Sequence, residues 1–183
     1  MKAYQDASLA PARRAKALLE EMTLAEKVGQ LNQRLYGFRI YERKCVNGED
    51  TIELSEEFCQ EVEKYSGLGV LYGLYRADPW ADKDYETGLA GVLSKKAYNQ
   101  VQRYVLEHSR LGIPVMMSSE CPHGHQALDG YLLPVNLLAG ATFDPAMVRA
   151  AYRVSGRQLQ NMGVDFALMS MLDVLRDPRW GRS

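Results

Sequence analysis

Apolar positions fall at helical spacing through most of the chain, interrupted by short continuous apolar runs that read as covered strands. Ser8 and Pro11 open a helix over residues 12–21 with Ala15, Leu18 and Leu19 on one side, and a proline is tolerated in a first turn because its amide has no intrahelical acceptor there. Thr23-Leu-Ala-Glu26 has the spacing of a capping box, which predicts a second helix from Met22-Thr23 to about Asn32 with Leu24, Val28 and Leu31 facing inward. Residues 38–54 alternate on either side of Asn47-Gly48, a dipeptide suited to positive φ, and read as a small hairpin. Ser55, followed by two glutamates, caps a helix whose Phe58, Val62 and Tyr65 share a face, and Ser66-Gly67 stops it. Residues 68–74 are the next strand.

Residues 76–91 form a long polar loop in which Asp78-Pro79-Trp80 is a candidate lid. Ser94 then reads as the cap of a helix carrying Ala97, Val101, Tyr104, Val105 and His108 on one face. Pro114 lacks a ladder donor and marks the entrance to a strand, Val115 to Met117 are apolar on both faces as a covered parallel strand requires, and polarity begins only at Glu120. Asp144-Pro145 supplies the N-cap and first residue of a helix lined by Met147, Val148, Ala151, Val154, Leu159 and Met162, which Gly163 ends. A last strand is expected over residues 164–174. The order is helices, then β, α, β, α, β, with crossovers long enough to demand parallel neighbours and right-handed connections. The predicted class is α/β.

The length of 183 residues allows one substantial core but falls short of the ~250 residues of a complete (β/α)8 barrel. A 46% hydrophobic and 25% charged composition excludes disordered and collagen-like classes. A net charge of −1 gives no electrostatic reason to expect nucleic acid or an anionic membrane as partner. Cys45, Cys59 and Cys121 are odd in number and lack C-x-x-C spacing, so they read as reduced thiols rather than a disulfide framework or zinc site. The first residues contain no apolar signal core, and no apolar run approaches the ~18 residues of a membrane span, so the expectation is a cytoplasmic protein.

Two loops carry the candidate chemistry. The first holds Glu120, His123 and His125 at the carboxyl end of the Pro114 strand, the end that faces ligands in α/β architectures. The second, residues 172–182, packs Arg176, Asp177, Arg179, Trp180 and Arg182 into seven positions. Guanidinium forks donate to hydroxyl or carboxylate oxygens, and an indole face covers the apolar side of a pyranose, so this group suits a sugar site. His123 reads as a buried ring bonded to backbone that stiffens the turn aiming Glu120. Arg176, Asp177 and Arg179 read as loop-ordering ion pairs, and Trp180 either wedges the rim or touches sugar.

With these residues laid out, the chain resembles glycoside hydrolase family 3, the β-glucosidase and β-xylosidase family, over nearly its whole length. The resemblance rests on Met22-Thr-Leu-Ala-Glu-Lys-Val-Gly-Gln30, Arg110-Leu-Gly-Ile-Pro114, Glu120-Cys-Pro-His-Gly124, Gly163-Val-Asp-Phe166 and Arg176-Asp-Pro-Arg-Trp-Gly-Arg182, in that order. It implies the front portion of a (β/α)8 TIM-type barrel, incomplete and preceded by N-terminal helices, spanning residues 1–183. It also implies retaining hydrolysis of terminal non-reducing β-D-glycosidic bonds, glucoside or xyloside, with no cofactor and no metal. In that family the positions of Glu120 and Arg182 bind the sugar hydroxyls of the −1 subsite, and only these two transfer; His123, Arg176, Asp177, Arg179 and Trp180 keep the loop-ordering reading given above.

Some positions depart from the family pattern. Glucoside-acting members often carry Asp where this chain has Glu120, xylosidase-like members more often Glu. Gln158, Gln160 and Ser170 replace residues common in the family. No catalytic residue is expected in this chain: the family's nucleophile and acid/base follow motifs beyond Ser183, so the sequence reads as the front part of a longer polypeptide and the isolated chain as inactive. Its open sheet edge would be covered by that later part or by an oligomer. Two other readings stand beside this one. His123-Gly-His125 has the form of the metal pair of zinc-dependent amidohydrolase barrels, and the chain could be a non-catalytic sugar-binding or interaction module.

Overall fold

A computed structural model describes residues 2–169, 171–177 and 179. Its elements in order are α1 (Pro11–Glu21), α2 (Leu24–Gln30), β1 (Tyr41–Val46), β2 (Glu49–Leu54), α3 (Glu56–Tyr65), β3 (Val70–Tyr72), α4 (Gly91–Glu107), β4 (Met116–Glu120), α5 (Asn136–Gly140), α6 (Pro145–Asn161) and β5 (Phe166–Leu168). β1 and β2 form the antiparallel hairpin expected around Asn47-Gly48, with Asn47 at φ 54° and Gly48 at φ 80°. β3, β4 and β5 form a parallel sheet in sequence order, joined by α4 and by α5 with α6. The α/β class and the parallel connections are therefore as read from the apolar pattern.

The core gathers residues of α3, α4, the parallel sheet and the hairpin into one cluster. Phe58 and Val62 of α3, Leu71 of β3, Ala97, Val101 and Val105 of α4, and Val115 and Met117 all lose essentially all contact with solvent. Each of these side chains except the small Ala97 contributes about 1.5–3 kcal/mol relative to exposure. Gln102 on α4 accepts from the Val115 amide at 3.1 Å and donates to its carbonyl at 2.7 Å, so regular pairing starts one residue later, at Met116.

Five expectations need correction. In α2, Leu24 and Leu31 are 79% and 87% exposed and Val28 is also on the surface, while Glu26 and Gly29 face inward. A Cβ on Gly29 would lie 2.7 Å from the Cβ of Tyr65, so α2 meets α3 along its smallest residue. Ser94 is not a cap: α4 begins at Gly91, whose amide donates to Asp129 from a distant loop, and Ser94 is buried one turn inside. His108 ends α4 as an exposed ring stacked on Tyr104 at 3.9 Å rather than lying with the apolar face. The last strand is only three residues long; Leu172 and Val174 lie beyond it and are exposed, as are Met147 and Val154 of α6.

The capping box does form, and Glu26 does more than cap. Its carboxylate accepts from the Thr23 amide at 2.8 Å and from Arg110 Nε and Nη2 at 2.8 and 2.7 Å. Arg110 also donates to the Glu21 carbonyl at 2.8 Å, and its own amide donates to Ser66 Oγ at 2.9 Å. The Arg110 guanidinium thus ties α1 and α2, and its backbone amide the end of α3, to the turn that enters β4. The Arg110 bonds, then those from Thr23, outweigh desolvation and hold the Glu26 carboxyl down to about 2, against 4.5 for the free group.

A carboxyl depressed in the fold binds its proton first in the unfolded chain, so its stabilisation is full above about pH 4.5 and is lost as the pH falls toward 2. Glu26→Gln is expected to lower stability at neutral pH and to remove part of the acid slope in that window. Urea unfolding of both chains from pH 2 to 6 measures the difference, and equal slopes would contradict it.

Candidate functional site

The register of the parallel sheet builds the site. Tyr72, the last residue of β3, pairs with Ser118 of β4, and residues two apart on a strand face the same way, so Tyr72 and Glu120 share a face at the carboxyl end. The Tyr72 hydroxyl donates to Glu120 Oε1 at 2.7 Å. Arg76, four residues further on, donates from Nη1 to the Tyr72 oxygen and stands 3.6 Å from Glu120 Oε1. Its Nε and Nη2 grip Asp78 Oδ2 at 2.8 and 2.6 Å, and the guanidinium carbon lies 4.4 Å from the Trp80 ring centroid. Trp80 in turn meets Tyr36 and Phe38 edge-on, each at 5.1 Å.

Burial matches these roles. The Arg76 side chain is 14% exposed and that of Glu120 27%, so the arginine is enclosed while the carboxylate retains an open side. Burial, then the bond to Glu120, pushes the Tyr72 phenol up to about 12, which keeps it a proton donor at any physiological pH. Desolvation works against ionisation of Asp78, but the Arg76 fork and the Ala81 amide outweigh it and hold the carboxyl below its ordinary range. Both Asp78 oxygens are engaged, Oδ2 by Arg76 and Oδ1 by Ala81, so Asp78 is not a second reacting carboxylate beside Glu120.

The turn after Glu120 is held from several sides. The Gln126 amide returns to the Glu120 carbonyl at 3.2 Å, the Cys121 amide donates to Leu168 of β5 at 2.8 Å, and the Leu133 amide donates to the His123 carbonyl at 2.7 Å. Gly124 sits at φ 92° against Tyr131, whose carbonyl oxygen would be 2.1 Å from any Cβ placed there, so both space and conformation require glycine. His125 is fully buried, with Nε2 2.9 Å from Ser119 Oγ and its ring edge-on to Tyr75. Desolvation drops its pKa to about 4, so it is neutral in the fold.

The site residues expected from the sequence fare differently. Glu120 stands at the carboxyl end of the central strand of its sheet, half-buried. Among the described residues His123 Nδ1 is buried without a partner, and the expected bond from the ring to backbone is not seen; its carbonyl fixes the turn instead. Asp177 and Arg179 do pair, with Arg179 Nε 2.9 Å from Asp177 Oδ1, on an exposed stretch that also holds Arg176. Trp180 and Arg182 lie outside the described residues. The metal-pair alternative fits poorly, since His125 is sealed in the core against Ser119 and no group of three potential ligands gathers among the described residues. Cys45, Cys59 and Cys121 are free thiols. Among the described residues no helix is long and apolar enough to cross a membrane.

Tyr72 and Arg76 were not singled out from the sequence, and Asp78 and Trp80 only as a candidate lid. The available signal was parity: with residues 68–74 read as a strand beside the Pro114 strand, the polar end of one must lie against the polar end of the other.

Residues 23–183 match the family model described as Glycosyl hydrolase family 3 N terminal domain. The chain is 30% identical over 181 residues to a protein named putative β-xylosidase from Formosa agariphila, covering 99% of this chain and 22% of that one. It is 27% identical over 166 residues to a periplasmic β-glucosidase of Salmonella typhimurium, covering 91% and 17% respectively. Among solved structures, a β-glucosidase from Erythrobacter marinus superposes on all of this chain with a TM-score of 0.71 at 28% identity, and 21% of that protein is covered. The chain thus spans about a fifth of the length of these relatives.

The neutral state of His125 has a consequence for stability. Its folded value of about 4 lies below the ordinary 6.5, so the unfolded chain takes up the proton first, and stability contributed by the buried ring is lost as the pH falls from about 6.5 to 4. His125→Gln is expected to be less stable at pH 7 but to show a flatter pH dependence between 4 and 6.5. Chemical denaturation at half-unit steps checks it; an identical slope in both chains would refute the assignment.

Proposed function

Because the chain belongs to glycosyl hydrolase family 3, we propose that it supplies sugar-binding loops of the −1 subsite to an enzyme that hydrolyses terminal non-reducing β-glycosidic bonds with retention of configuration. The observation that supports this best is Glu120 itself: a carboxylate at the carboxyl end of a parallel strand, one oxygen pinned by Tyr72 and the side chain still open to solvent. Sugar hydroxyls both donate and accept, so an acceptor-only carboxylate on one side and a donor-only guanidinium on the other fix a ring through charge-assisted bonds. Arg182 is proposed for the second role. Retaining hydrolysis needs a nucleophile and an acid/base about 5–5.5 Å apart, and by family membership we assign both to other parts of the enzyme, so the present chain alone should be silent toward glycosides.

A (β/α)8 barrel accommodates these features, since β3, β4 and β5 are parallel, in sequence order, and joined through helices. Exposed Leu137, Leu138 and Phe143, together with the free edge of β5, are the surface that the rest of such a barrel would cover. The free, exposed thiol of Cys45 supports a reducing, cytoplasmic setting.

The proposed substrate preference is for xyloside over glucoside. Glutamate reaches one methylene further than aspartate into the volume that a C6 hydroxymethyl would occupy. In the full-length protein, Glu120→Asp is expected to shift the kcat/KM ratio toward nitrophenyl β-glucoside by about 1–3 kcal/mol, the worth of one methylene in a pocket. An unchanged ratio would sink that preference. Glu120→Ala should abolish turnover of both substrates. Because two-carboxylate chemistry needs no ion, turnover should also survive exhaustive chelation. Activity lost to EDTA and restored by zinc would instead favour the metal-pair reading.

A further inference from the structure

Arg76 is the most heavily committed polar side chain near Glu120, and no role in the proposed reaction accounts for it. A guanidinium can only donate. The Tyr72 oxygen therefore accepts from Arg76 Nη1, and the single phenolic hydrogen is left to point at Glu120 Oε1, 2.7 Å away. The direction of the whole chain follows: Asp78 holds Arg76, Arg76 orients the phenol, and the phenol occupies one oxygen of Glu120. Trp80, with the guanidinium against its ring, closes the far side. Arg76 is too enclosed and too fully bonded to serve a substrate directly, since its side chain is only 14% exposed and its Nε and Nη2 are taken by Asp78.

We propose that Arg76 is a positioning residue that acts on Glu120 through Tyr72, holding the carboxylate by Oε1 so that Oε2 is presented to a sugar hydroxyl. This rests on the sugar-binding role proposed above for Glu120. Donation from Arg76 polarises the phenol and strengthens its own donation, so the two bonds reinforce each other. Glu120 is thereby fixed before substrate arrives, and its ordering entropy is lost on folding rather than on binding. A lysine could not replace Arg76, because a point charge cannot grip Asp78 and the phenol with separate donors of one planar fork.

Two measurements test this. The first is a double-mutant cycle on kcat/KM in the full-length protein. Tyr72→Phe and Arg76→Met are each expected to lower it by about tenfold or more, the scale of a hydrogen bond to a charged group. Arg76→Met in the Tyr72→Phe background should then cost little further, because its route to Glu120 is already cut. Arg76→Lys should fail to rescue. Independent, additive losses would overturn the proposal, as they would mean that Arg76 supports the fold rather than Glu120 through the phenol.

The second measurement needs no activity. In protein labelled with 13C at the tyrosine ζ carbon, the resonance missing from Tyr72→Phe belongs to Tyr72, whose titration lies near pH 12. In Glu120→Gln the same resonance is expected to titrate at lower pH, because the negative acceptor that holds the proton is gone. An unmoved titration would show that the phenol does not donate to Glu120, and would refute the relay whatever the kinetics. If the full-length protein turns over no β-glycoside while the resonance moves as expected, the glycosidase reading falls and the positioning of Glu120 by Tyr72 stands.

Discussion

A charged carboxylate at the end of a covered strand is tolerable only if its charge is answered on the spot, and here the parallel register of β3 and β4 provides the answer. Tyr72 and Ser118 are partners in the ladder, so the phenol of one strand and the carboxylate two residues further along the other must fall on one face. Everything that follows Tyr72 serves that meeting. The chain leaves β3 with the Gly73 amide bonded to the Ser118 carbonyl at 2.8 Å, turns within four residues to bring Arg76 back, and pairs Arg76 with Ala127 in the turn that follows Glu120. A one-residue slip in this pairing would send Tyr72 to the opposite face and leave Glu120 with neither donor.

The same logic operates at the opposite end of the sheet, where no chemistry is expected. Glu26 and Arg110 lie 84 residues apart and both belong to segments that resemble family motifs. Their bond joins α2 to the turn that leads into β4, and the buried face of α2 consists of the ion-paired Glu26 and a glycine rather than leucines. A residue within such a motif can thus hold the fold together without touching a substrate. The carboxylate depressed to about 2 belongs to a structural staple, which shows why a perturbed pKa marks a functional site only when a cleft accompanies it.

Local signals were legible and distant ones were not. Thr23 with Glu26, Asn47-Gly48, Ser55 and Asp144-Pro145 each satisfy backbone groups within a few residues, and each is found where the sequence places it. Ser94 misled because the amide of Gly91 takes its acceptor from Asp129, 38 residues away, so the helix starts a turn earlier than any local cap implies. Leu24, Val28 and Leu31 misled because their period is helical but their partners are not on the inner side. Glu120 and the turn from His123 to His125 could be named in advance because a polar residue ending an apolar strand is a one-strand observation. Tyr72 and Arg76 required knowing which strand lies beside which, and His123 required knowing that its carbonyl rather than its ring would be used.

On the role proposed for Glu120, holding a sugar and cleaving it are separate tasks. A carboxylate locked by a phenol is pre-organised for a hydroxyl, and pre-organisation lowers the cost of binding whether or not the bond is about to break. It accelerates hydrolysis only in so far as the hydroxyl bond tightens when the ring flattens toward the oxocarbenium-like state. A rigid acceptor favours that outcome. If Glu120 could swing freely, it would follow the hydroxyl through the distortion and bind both geometries alike, whereas a carboxylate held at Oε1 by Tyr72 can place Oε2 best for only one of them.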